Sequence, residues 1–321
     1  MSLHRPQTAL RNLAIMLVAG FALASWFFAW QIDHELDHAE AEAAQTTQRL
    51  ALGLENALLS QVLAIDLSLQ SSADEYLRLQ AAGQGTGSFG RFLDAQLGRL
   101  AFADALRATD ADGNVVHGSG LAPGQRINVA ERGYFQALRS GAQGLTFGQP
   151  VRSQASGDWV FPMARPLLGT DGRFAGIVYV LTSSRRMLAL FRALNIGQGG
   201  VVTLFDAQRR VLLRYPVPPL EGSTDQLVLQ SQGTAAAMAD GRAEATYRTV
   251  SSIDGVDRVQ SLRRIGPYPL YVLAGVSRQD YLAATYREAF VGVVLLCALA
   301  GTALVLGLML LAAADSAGAE A

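Results

Sequence analysis

The sequence contains no lysine, a single cysteine and only four histidines. Without lysine, the chain cannot supply the lysine of a phosphate-binding loop, a Schiff-base lysine or a lysine general base. Cys297 alone cannot form an internal disulfide or a cage of thiolate metal ligands. Four histidines leave few metal sites or catalytic triads to consider. We therefore predict no catalytic residue, no bound metal and no cofactor.

Charged residues are also scarce, at 17% of the 321 residues, and the formal net charge is -1. Such a chain has no overall basic field, so no nucleic-acid partner is expected. The low charge comes largely from two apolar runs, residues 12–32 and 289–314. At about 1.5 Å per residue, each run can cross a hydrocarbon core about 30 Å thick. The sequence therefore predicts two transmembrane helices, with the lipid bilayer as a partner.

The charges that flank the first run predict its orientation. Arg5 and Arg11 precede it, and several acidic residues follow from Asp33 onward. The positive-inside rule then places the N-terminus in the cytoplasm and residues of about 33–288 in the periplasm, outside a bacterial inner membrane. A cleaved signal peptide is the alternative, because residues 22–24 have the small-x-small form of a cleavage site. The apolar, aromatic stretch 25–30 favours an uncleaved anchor.

Residues 33 to about 80 contain no proline and are rich in alanine, leucine, glutamate and glutamine. This composition predicts one long helix. Apolar residues recur every seven positions, at Leu36, Ala43, Leu50 and Ala57. This repeat predicts that the helix packs either on its own domain or against the same helix of a second copy. The second alternative predicts a homodimer.

After the long helix, the sequence pattern changes to short β-like runs separated by turn signals, such as Asp112-Gly113 and Asp171-Gly172. The fold class is α+β, a long N-terminal helix followed by two PAS-like modules with antiparallel sheets. The predicted order is a cytoplasmic N-terminal tail (1–11), a transmembrane helix (12–32), a long extracytoplasmic helix with a linker (33–89), a membrane-distal module (90–195), a membrane-proximal module (196–278), a connecting helix with the second transmembrane helix (279–314) and a cytoplasmic tail (315–321).

These features together resemble the double-Cache, tandem PAS-like extracytoplasmic sensors of bacterial membrane receptors. The similarity is strongest to those that precede diguanylate cyclase or histidine kinase modules. Order and spacing carry the resemblance rather than any single motif. The stretches that carry it are residues 131–135, 148–153, 157–165, 171–178, 212–216, 254–258 and 269–273.

The resemblance implies that the membrane-distal module holds a small molecule. In amino-acid-binding relatives an Arg-x-Trp-Tyr motif contributes the arginine that clamps the ligand carboxylate, and an aspartate takes its ammonium group. Arg132 matches that arginine, and Tyr134 and Phe135 stand where Trp-Tyr would be. Ile127 and Leu181 occupy the positions expected for a further tyrosine and for the aspartate. The resemblance therefore implies a ligand that is an organic anion rather than an α-amino acid.

Arginine is physically suited to such a ligand because guanidinium offers paired donors to two oxygens. Strand alternation places Trp159 and Arg165 on one face of a predicted strand. An arginine on such an apolar face needs either an internal acid or a ligand anion, and for Arg132 a structural ion pair is likewise the alternative. The candidate ligand-binding residues are Arg132, Tyr134, Phe135, Trp159, Arg165 and Tyr179, of which the aromatic ones can equally belong to the core.

One stretch formally matches a zinc-protease motif, because His34-Glu35-Leu36-Asp37-His38 reads H-E-x-x-H. It begins directly after the first apolar run, and no further histidine follows at the spacing that such proteases require for a third ligand. A solvated helix face beside the membrane is the favoured interpretation, and the protease is a remote alternative.

The favoured function is a non-enzymatic sensor that transmits ligand binding across the membrane. A cyclase or kinase output would lie beyond this chain, either because the sequence is part of a longer receptor or because a separate partner carries the output. The alternative from another class is an envelope interaction protein whose Cache-like modules bind no small molecule.

Overall fold

The structure is a computed structural model that describes residues 5–83, 87–119, 126–153, 157–217 and 227–319. The helices in these ranges are α1 (Arg5–Ala81), α2 (Gly87–Leu97), α3 (Gly133–Arg139), α4 (Ser184–Arg192), α5 (Gln232–Ala239) and α6 (Arg278–Ala319). The strands are β1 (Ala103–Thr109), β2 (Val115–Gly118), β3 (Thr146–Phe147), β4 (Val151–Arg152), β5 (Trp159–Leu168), β6 (Phe174–Ser183), β7 (Val201–Asp206), β8 (Val211–Tyr215), β9 (Glu244–Val250), β10 (Asp257–Arg264) and β11 (Leu270–Ser277).

The strands form two antiparallel sheets. The first has the order β2-β1-β6-β5-β3, with β4 also paired to β5, and the second has the order β8-β7-β11-β10-β9. We call the first sheet with α2, α3 and α4 the first module, and the second sheet with α5 the second module. Antiparallel order with short connections is what the repeated Asp-Gly turn signals predict.

The β1–β2 hairpin shows why the chain turns where it does. The Asp110 carboxylate accepts hydrogen bonds from the backbone N–H groups of Asp112 and Asn114, at 3.0 and 2.8 Å. Gly113 has a φ of 85°, which residues with a side chain rarely adopt. An aspartate that caps its own turn and a glycine in the left-handed region together fix the hairpin.

Helix α1 packs against both sheets. Leu54, Leu58, Ile65 and Leu69 are each 2% exposed or less, and they join one hydrophobic cluster with side chains of β1, β5, β6, β7, β8 and β11. Burying a leucine or isoleucine fully stabilises a fold by about 1.5–3 kcal/mol. The helix therefore packs against the sheets of both modules and contributes to a hydrophobic core that they share.

The chain divides into two compact units, Thr46–Val276 and a second unit of Met1–Gln45 with Ser277–Ala321. In the second unit, α1 and α6 each contain a stretch long and apolar enough to cross a membrane. Large apolar side chains such as Val18, Trp26, Phe290 and Leu299 are exposed there. The Phe28 ring lies so close to Gly292 that no side chain would fit at that glycine.

The predicted long helix followed by antiparallel sheets is confirmed, with differences at the boundaries. Helix α1 is continuous from Arg5 through the first apolar run, so no break separates the predicted tail, span and extracytoplasmic helix. The end of the predicted linker, from Gly87, belongs to α2, because Phe89 and Leu93 bury an apolar face. Residues 84–86 of that linker, and the outermost residues of both predicted tails, lie outside the described residues.

Candidate functional site

The first module has an aromatic centre on one face of its sheet. Tyr134 and Phe135 from α3 and Tyr179 from β6 are each 5% exposed or less and share one hydrophobic cluster. The rings of Tyr134 and Tyr179 lie 6.1 Å apart. Ile127 and Leu181 are buried in the same cluster. Three of the six predicted site residues therefore meet in this centre.

Arg107 brings a positive charge to this centre. It lies on β1 and is only 4% exposed. Its Nε donates a hydrogen bond to the carbonyl oxygen of Ser119 at 3.2 Å, and its guanidinium also hydrogen-bonds the side chain of Tyr179. The neighbouring Oγ of Ser119 is buried and has no hydrogen-bond partner among the residues that the structure describes. A buried guanidinium beside such a hydroxyl can hold an anion.

Burial keeps both tyrosines protonated. Burial and the nearby Tyr179 raise the pKa of Tyr134, and the charges of Arg132 and Arg107 only partly oppose this. Burial likewise raises the pKa of Tyr179, against the charge and the hydrogen bond of Arg107. Both phenols therefore remain neutral hydroxyl groups at any physiological pH. Each can donate a hydrogen bond to an anionic oxygen.

Arg132 is the N-cap residue of α3 and its side chain is exposed. It lines an open cleft of about 430 Å³ together with Tyr134, Gly148, Gln149 and Arg210. Tyr134 thus contributes both to the buried centre and to the wall of this cleft. Two cationic side chains, the buried Arg107 and the exposed Arg132, therefore both act on Tyr134.

Gly148 makes the close approach of Tyr134 possible. A Cβ atom at position 148 would lie 2.6 Å from Cδ1 of Tyr134 and 2.6 Å from Cγ of Pro162. Gly148 is buried, and its N–H donates to the carbonyl oxygen of Pro162 at 2.8 Å. The tyrosine ring can therefore keep this position only while residue 148 has no side chain.

The cleft joins the two modules. Nε2 of Gln149 donates to Oδ2 of Asp206 at 3.2 Å, and Nε of Arg210 donates to the same oxygen at 2.7 Å. Gln149 follows β3 in the first module, whereas Asp206 ends β7 in the second. A ligand in the cleft would therefore contact a junction between modules.

Arg165 is not part of the aromatic centre, since it extends from the opposite face of β5. Its Nε and one terminal nitrogen donate to the two carboxylate oxygens of Asp66 on α1, at 2.5 and 3.1 Å. The hydroxyl of Tyr268, just before β11, donates to Asp66 at 3.2 Å. We call Asp66, Arg165 and Tyr268 the three-way joint, because it connects α1 with both modules. Of the two partners expected for Arg165, the structure supplies the internal acid.

Trp159 also lies away from the aromatic centre. It pairs across the sheet with Arg152, whose guanidinium lies over the indole ring at 5.7 Å from its centroid. Such cation–π contacts occur at many protein surfaces and need no ligand to explain them. The structure thus brings together Arg132, Tyr134, Phe135 and Tyr179, and separates Trp159 and Arg165 from them.

The residues of the H-E-x-x-H stretch lie on α1. The ring of His34 stacks on Trp30, with centroids 5.8 Å apart. Across the described ranges, no group of three or more His, Cys, Asp or Glu side chains is arranged to hold a metal ion.

The sequence interpretation missed Arg107. Its strand reads Ala-Asp-Ala-Leu-Arg-Ala-Thr, and an arginine within such an apolar stretch was itself a signal. The same reasoning that selected Arg165, that an arginine on a buried strand needs a partner, applies to Arg107.

This architecture, a long helix that carries two α+β modules, defines the class of Cache domains. The chain belongs to that family, because the family model dCache_1, described as a Cache domain, matches residues 33–285. No curated protein matches the chain.

Solved structures show the same fold. The extracellular domain of rpHK1S-Z16, described as a histidine kinase, is 23% identical with a TM-score of 0.63, over 74% of this chain and 96% of that one. The ligand-binding domain of the Pseudomonas aeruginosa chemoreceptor PctB, in complex with L-Arg, is 17% identical with a TM-score of 0.52, over 75% and 95%. That of the Pseudomonas fluorescens chemoreceptor CtaA, in complex with L-serine, is 15% identical with a TM-score of 0.53, over 75% and 99%. Family membership supports a sensor role, and the matched domains are ligand-binding rather than catalytic.

Proposed function

We propose that this chain is the signal-input region of a two-pass bacterial membrane receptor, whose first module binds a small organic anion from the periplasm. The observation that carries the proposal is the buried guanidinium of Arg107, which hydrogen-bonds the neutral Tyr179 and acts electrostatically on the neutral Tyr134. Arg132 supplies a second cation at the cleft mouth. Concave sites with aromatic walls and few polar anchors are typical of small-molecule pockets.

The ligand class follows from what surrounds these cations. Chemoreceptor domains of the same fold are solved with amino acids, as the PctB and CtaA complexes show for those proteins. In this chain Ile127 and Leu181 occupy the positions where the resemblance places a tyrosine and an ammonium-binding aspartate, and both are buried and apolar. An α-ammonium group would lose its hydration there without gaining a partner. We therefore propose a carboxylate that lacks an α-amino group.

Signal transmission is proposed to use the helices that leave the sensor. Helix α1 is continuous into the first apolar run, and α6 begins one residue after β11 ends. The three-way joint of Asp66, Arg165 and Tyr268 connects α1 to both modules. Ligand binding can shift these helices only if the two conformations bind the ligand with different affinities. A diguanylate cyclase or histidine kinase is the proposed recipient of that shift.

A homodimer is proposed to form along α1. Leu52, Leu63 and Leu67 are 43%, 42% and 61% exposed. At 100° per residue, these three leucines fall within about 60° of one another on the helix surface. An apolar stripe of this kind on a long helix fits a second copy of the same helix. Disulfide formation by a Leu63→Cys, Cys297→Ser chain in membranes would support the homodimer. The control is Ala64→Cys in the same background, an exposed position about 100° away from Leu63 on the helix surface, which should form no disulfide.

The binding proposal is tested by a thermal-shift screen of the full chain in lipid nanodiscs. The probes are matched acids with and without an α-amino group: succinate and aspartate, propionate and alanine. We expect stabilisation by at least one deaminated acid, its loss in Arg107→Gln and Arg132→Met, and its retention in Arg139→Met. Arg139 is the matched control because it is an exposed arginine on the same helix. No response to any small molecule in a broader library would favour the envelope interaction protein instead.

A further inference from the structure

The second module contains a buried polar cluster that the proposed sensor function does not use. Arg214 on β8 and Arg258 on β10 have side chains that are only 5% and 4% exposed. Both reach the single carboxylate of Asp254, which lies in the turn between β9 and β10. We call Arg214, Arg258, Asp254 and their neighbour Gln260 the second-module cluster.

The carboxylate of Asp254 is held as a ligand would be. Arg258 donates from its two terminal nitrogens to Oδ1 and Oδ2 at 2.8 and 2.9 Å, in the bidentate geometry that guanidinium prefers with carboxylates. Arg214 adds a bond to Oδ2 at 2.7 Å and another to Oγ1 of Thr203 at 3.1 Å. Nε of Arg258 donates to the carbonyl oxygen of Gly199 at 2.6 Å. Both arginines are therefore fixed around a carboxylate-shaped position.

The cluster has more positive than negative charge. Two guanidinium groups share one carboxylate, which leaves a net charge of one. Burial and the adjacent Arg258 lower the pKa of Arg214, although Asp254 acts in the opposite direction. Burial alone would raise the pKa of Asp254, but hydrogen bonds from Arg258 and Ser251 and the charges of Arg258 and Arg214 lower it far below its ordinary value. An anion in this position is strongly favoured.

Gln260 provides a second, independent observation. It is 4% exposed, so nearly all of its side chain is excluded from solvent. It follows Arg258 by two residues, so both side chains extend from the same face of β10. Both side chains also lie close to Gly275, since a Cβ at that glycine would lie 3.0 Å from Cγ of Gln260 and 3.3 Å from Cδ of Arg258. The Gln260 amide therefore lies close enough to Arg258 to bind a second polar group of a ligand held by that arginine.

Asp254 lies in the turn between β9 and β10, where its Oδ1 also accepts a hydrogen bond from the backbone N–H of Val256 at 3.3 Å. Its side chain is 32% exposed, whereas those of its two arginine partners are almost fully buried. It belongs to a hairpin turn closed by backbone bonds between Ser251 and Val256 and between Gly255 and Ser251, rather than to a strand. Solvent therefore reaches the carboxylate from outside while the guanidinium groups stay fixed.

From this geometry we propose that the second-module cluster is a separate anion site, in which a small carboxylate replaces the Asp254 side chain on Arg214 and Arg258 while Gln260 binds a second polar group of the same ligand. Asp254 acts as an internal ligand that holds the site closed when the external one is absent. The space vacated is that of a carboxylate and one methylene group, so the ligand is a two-carbon acid such as acetate or glycolate. A hydroxyl or keto oxygen beside the carboxylate would satisfy the Gln260 amide.

The first test removes the internal competitor. Asp254→Asn is compared with the wild-type full chain in lipid nanodiscs, by thermal shift and by titration with acetate and with glycolate, using sodium chloride at equal ionic strength as the control. We expect at least tenfold tighter binding of glycolate to Asp254→Asn than to the wild type. The substitution should lower the midpoint of thermal unfolding, and glycolate should restore it. Failure of both acids to stabilise Asp254→Asn beyond sodium chloride would overturn the proposal.

The second test uses a variant that keeps the fold. Gln260→Met has nearly the same shape, so a purely structural cluster would tolerate it without change in ligand response. We expect the preference for glycolate over acetate to fall at least fivefold in Gln260→Met and to persist in Gln230→Met, an exposed glutamine of the same module. An unchanged preference in Gln260→Met would contradict the proposed role of the amide.

The two proposed sites are separated by repeating both titrations in an Arg132→Met background. Glycolate binding that survives in this background belongs to the second module, and it would stand even if the first module bound nothing. Binding that disappears with Arg132→Met would belong to the first module and would overturn the assignment made here.

Discussion

The two modules place buried arginine in different surroundings on comparable sheets. In the first module Arg107 lies against the hydroxyl of Tyr179 and the carbonyl of Ser119. In the second module Arg214 and Arg258 lie against the carboxylate of Asp254. In these contacts Arg107 donates to neutral oxygens, whereas Arg214 and Arg258 share the carboxylate of an aspartate from their own module. Under the two proposals made above, the first site takes an anion directly, whereas the second must first exchange its internal partner.

The largest expected effect is from removal of that internal partner. Asp254→Ala leaves two buried guanidinium groups without their carboxylate, and we expect a loss of about 3–5 kcal/mol in the free energy of unfolding. The pKa of Asp254 is lowered in the folded state, so its contribution is complete above pH of about 4 and is lost as the pH falls below that value. Urea unfolding at pH 7 and pH 3 measures both effects.

The control for this prediction is an acid of the first module. Asp158 pairs with Arg185, whose side chain is 75% exposed, so Asp158→Ala should change the free energy of unfolding by less than about 1 kcal/mol. Equal losses for Asp158→Ala and Asp254→Ala would show that the contrast between the modules is wrong.

The next effect concerns the three-way joint. Asp66→Asn removes the charge that pairs with Arg165 and weakens the acceptor of Tyr268, and hydrogen bonds to charged groups contribute about 1.5–3 kcal/mol. We expect a loss of that size, together with a broader unfolding transition as the two modules separate. Scanning calorimetry detects both changes. The exposed pair of Glu75 and Arg78 is the control, and Glu75→Gln should leave the transition sharp.

A smaller effect should be confined to the first module. Gly148→Ala places a Cβ within 2.6 Å of the Tyr134 ring, and overpacking of this kind costs about 1–3 kcal/mol. We expect weaker anion binding by the first module and an unchanged glycolate response of Asp254→Asn in the second. Gly90→Ala, a helical position with open space around it, should change neither. Loss of both responses in Gly148→Ala would mean that the two sites are not independent.

The smallest effect is at alkaline pH. Burial, the charge of Asp66 and the hydrogen bond to it raise the pKa of Tyr268 to about 12. A group with a raised folded-state pKa contributes stability that is complete below its ordinary pKa, about 10, and is lost as the pH rises toward 12. The free energy of unfolding should therefore fall more steeply between pH 9 and 11 in the wild type than in Tyr268→Phe. Equal pH dependence of the free energy of unfolding in wild type and Tyr268→Phe would contradict the hydrogen bond assigned to Tyr268 and Asp66.

The parts of the fold that depend on local pattern are predictable from sequence. Composition and the absence of proline predict the extracytoplasmic part of α1. Asp112-Gly113 predicts the first hairpin, because Gly113 supplies the positive φ that the turn needs. The fate of Gly87 and Gly90 was not predictable in this way. Glycine favours a flexible connection locally, but the burial of Phe89 and Leu93 outweighs that tendency and forms α2.

The site was only partly predictable, for a different reason. Motif position indicates Arg132, Tyr134 and Phe135, which are close together in sequence. The partners of Arg165 and Arg107 depend on which elements meet in space, since Asp66 is 99 residues from Arg165 and Ser119 lies across a hairpin from Arg107. Strand alternation predicts that such an arginine is buried, but it does not predict whether an acidic residue or a ligand is its partner.

The central claim, that the first module binds an organic anion lacking an α-amino group, is tested most directly by calorimetric titration. The wild-type full chain in lipid nanodiscs is titrated with the best deaminated acid of the screen and with its amino-acid counterpart, and the pair is repeated on Arg132→Met. We predict at least tenfold tighter binding of the deaminated acid, and its loss in the variant. Tighter binding of the amino acid, or equal binding by wild type and Arg132→Met, would contradict the account.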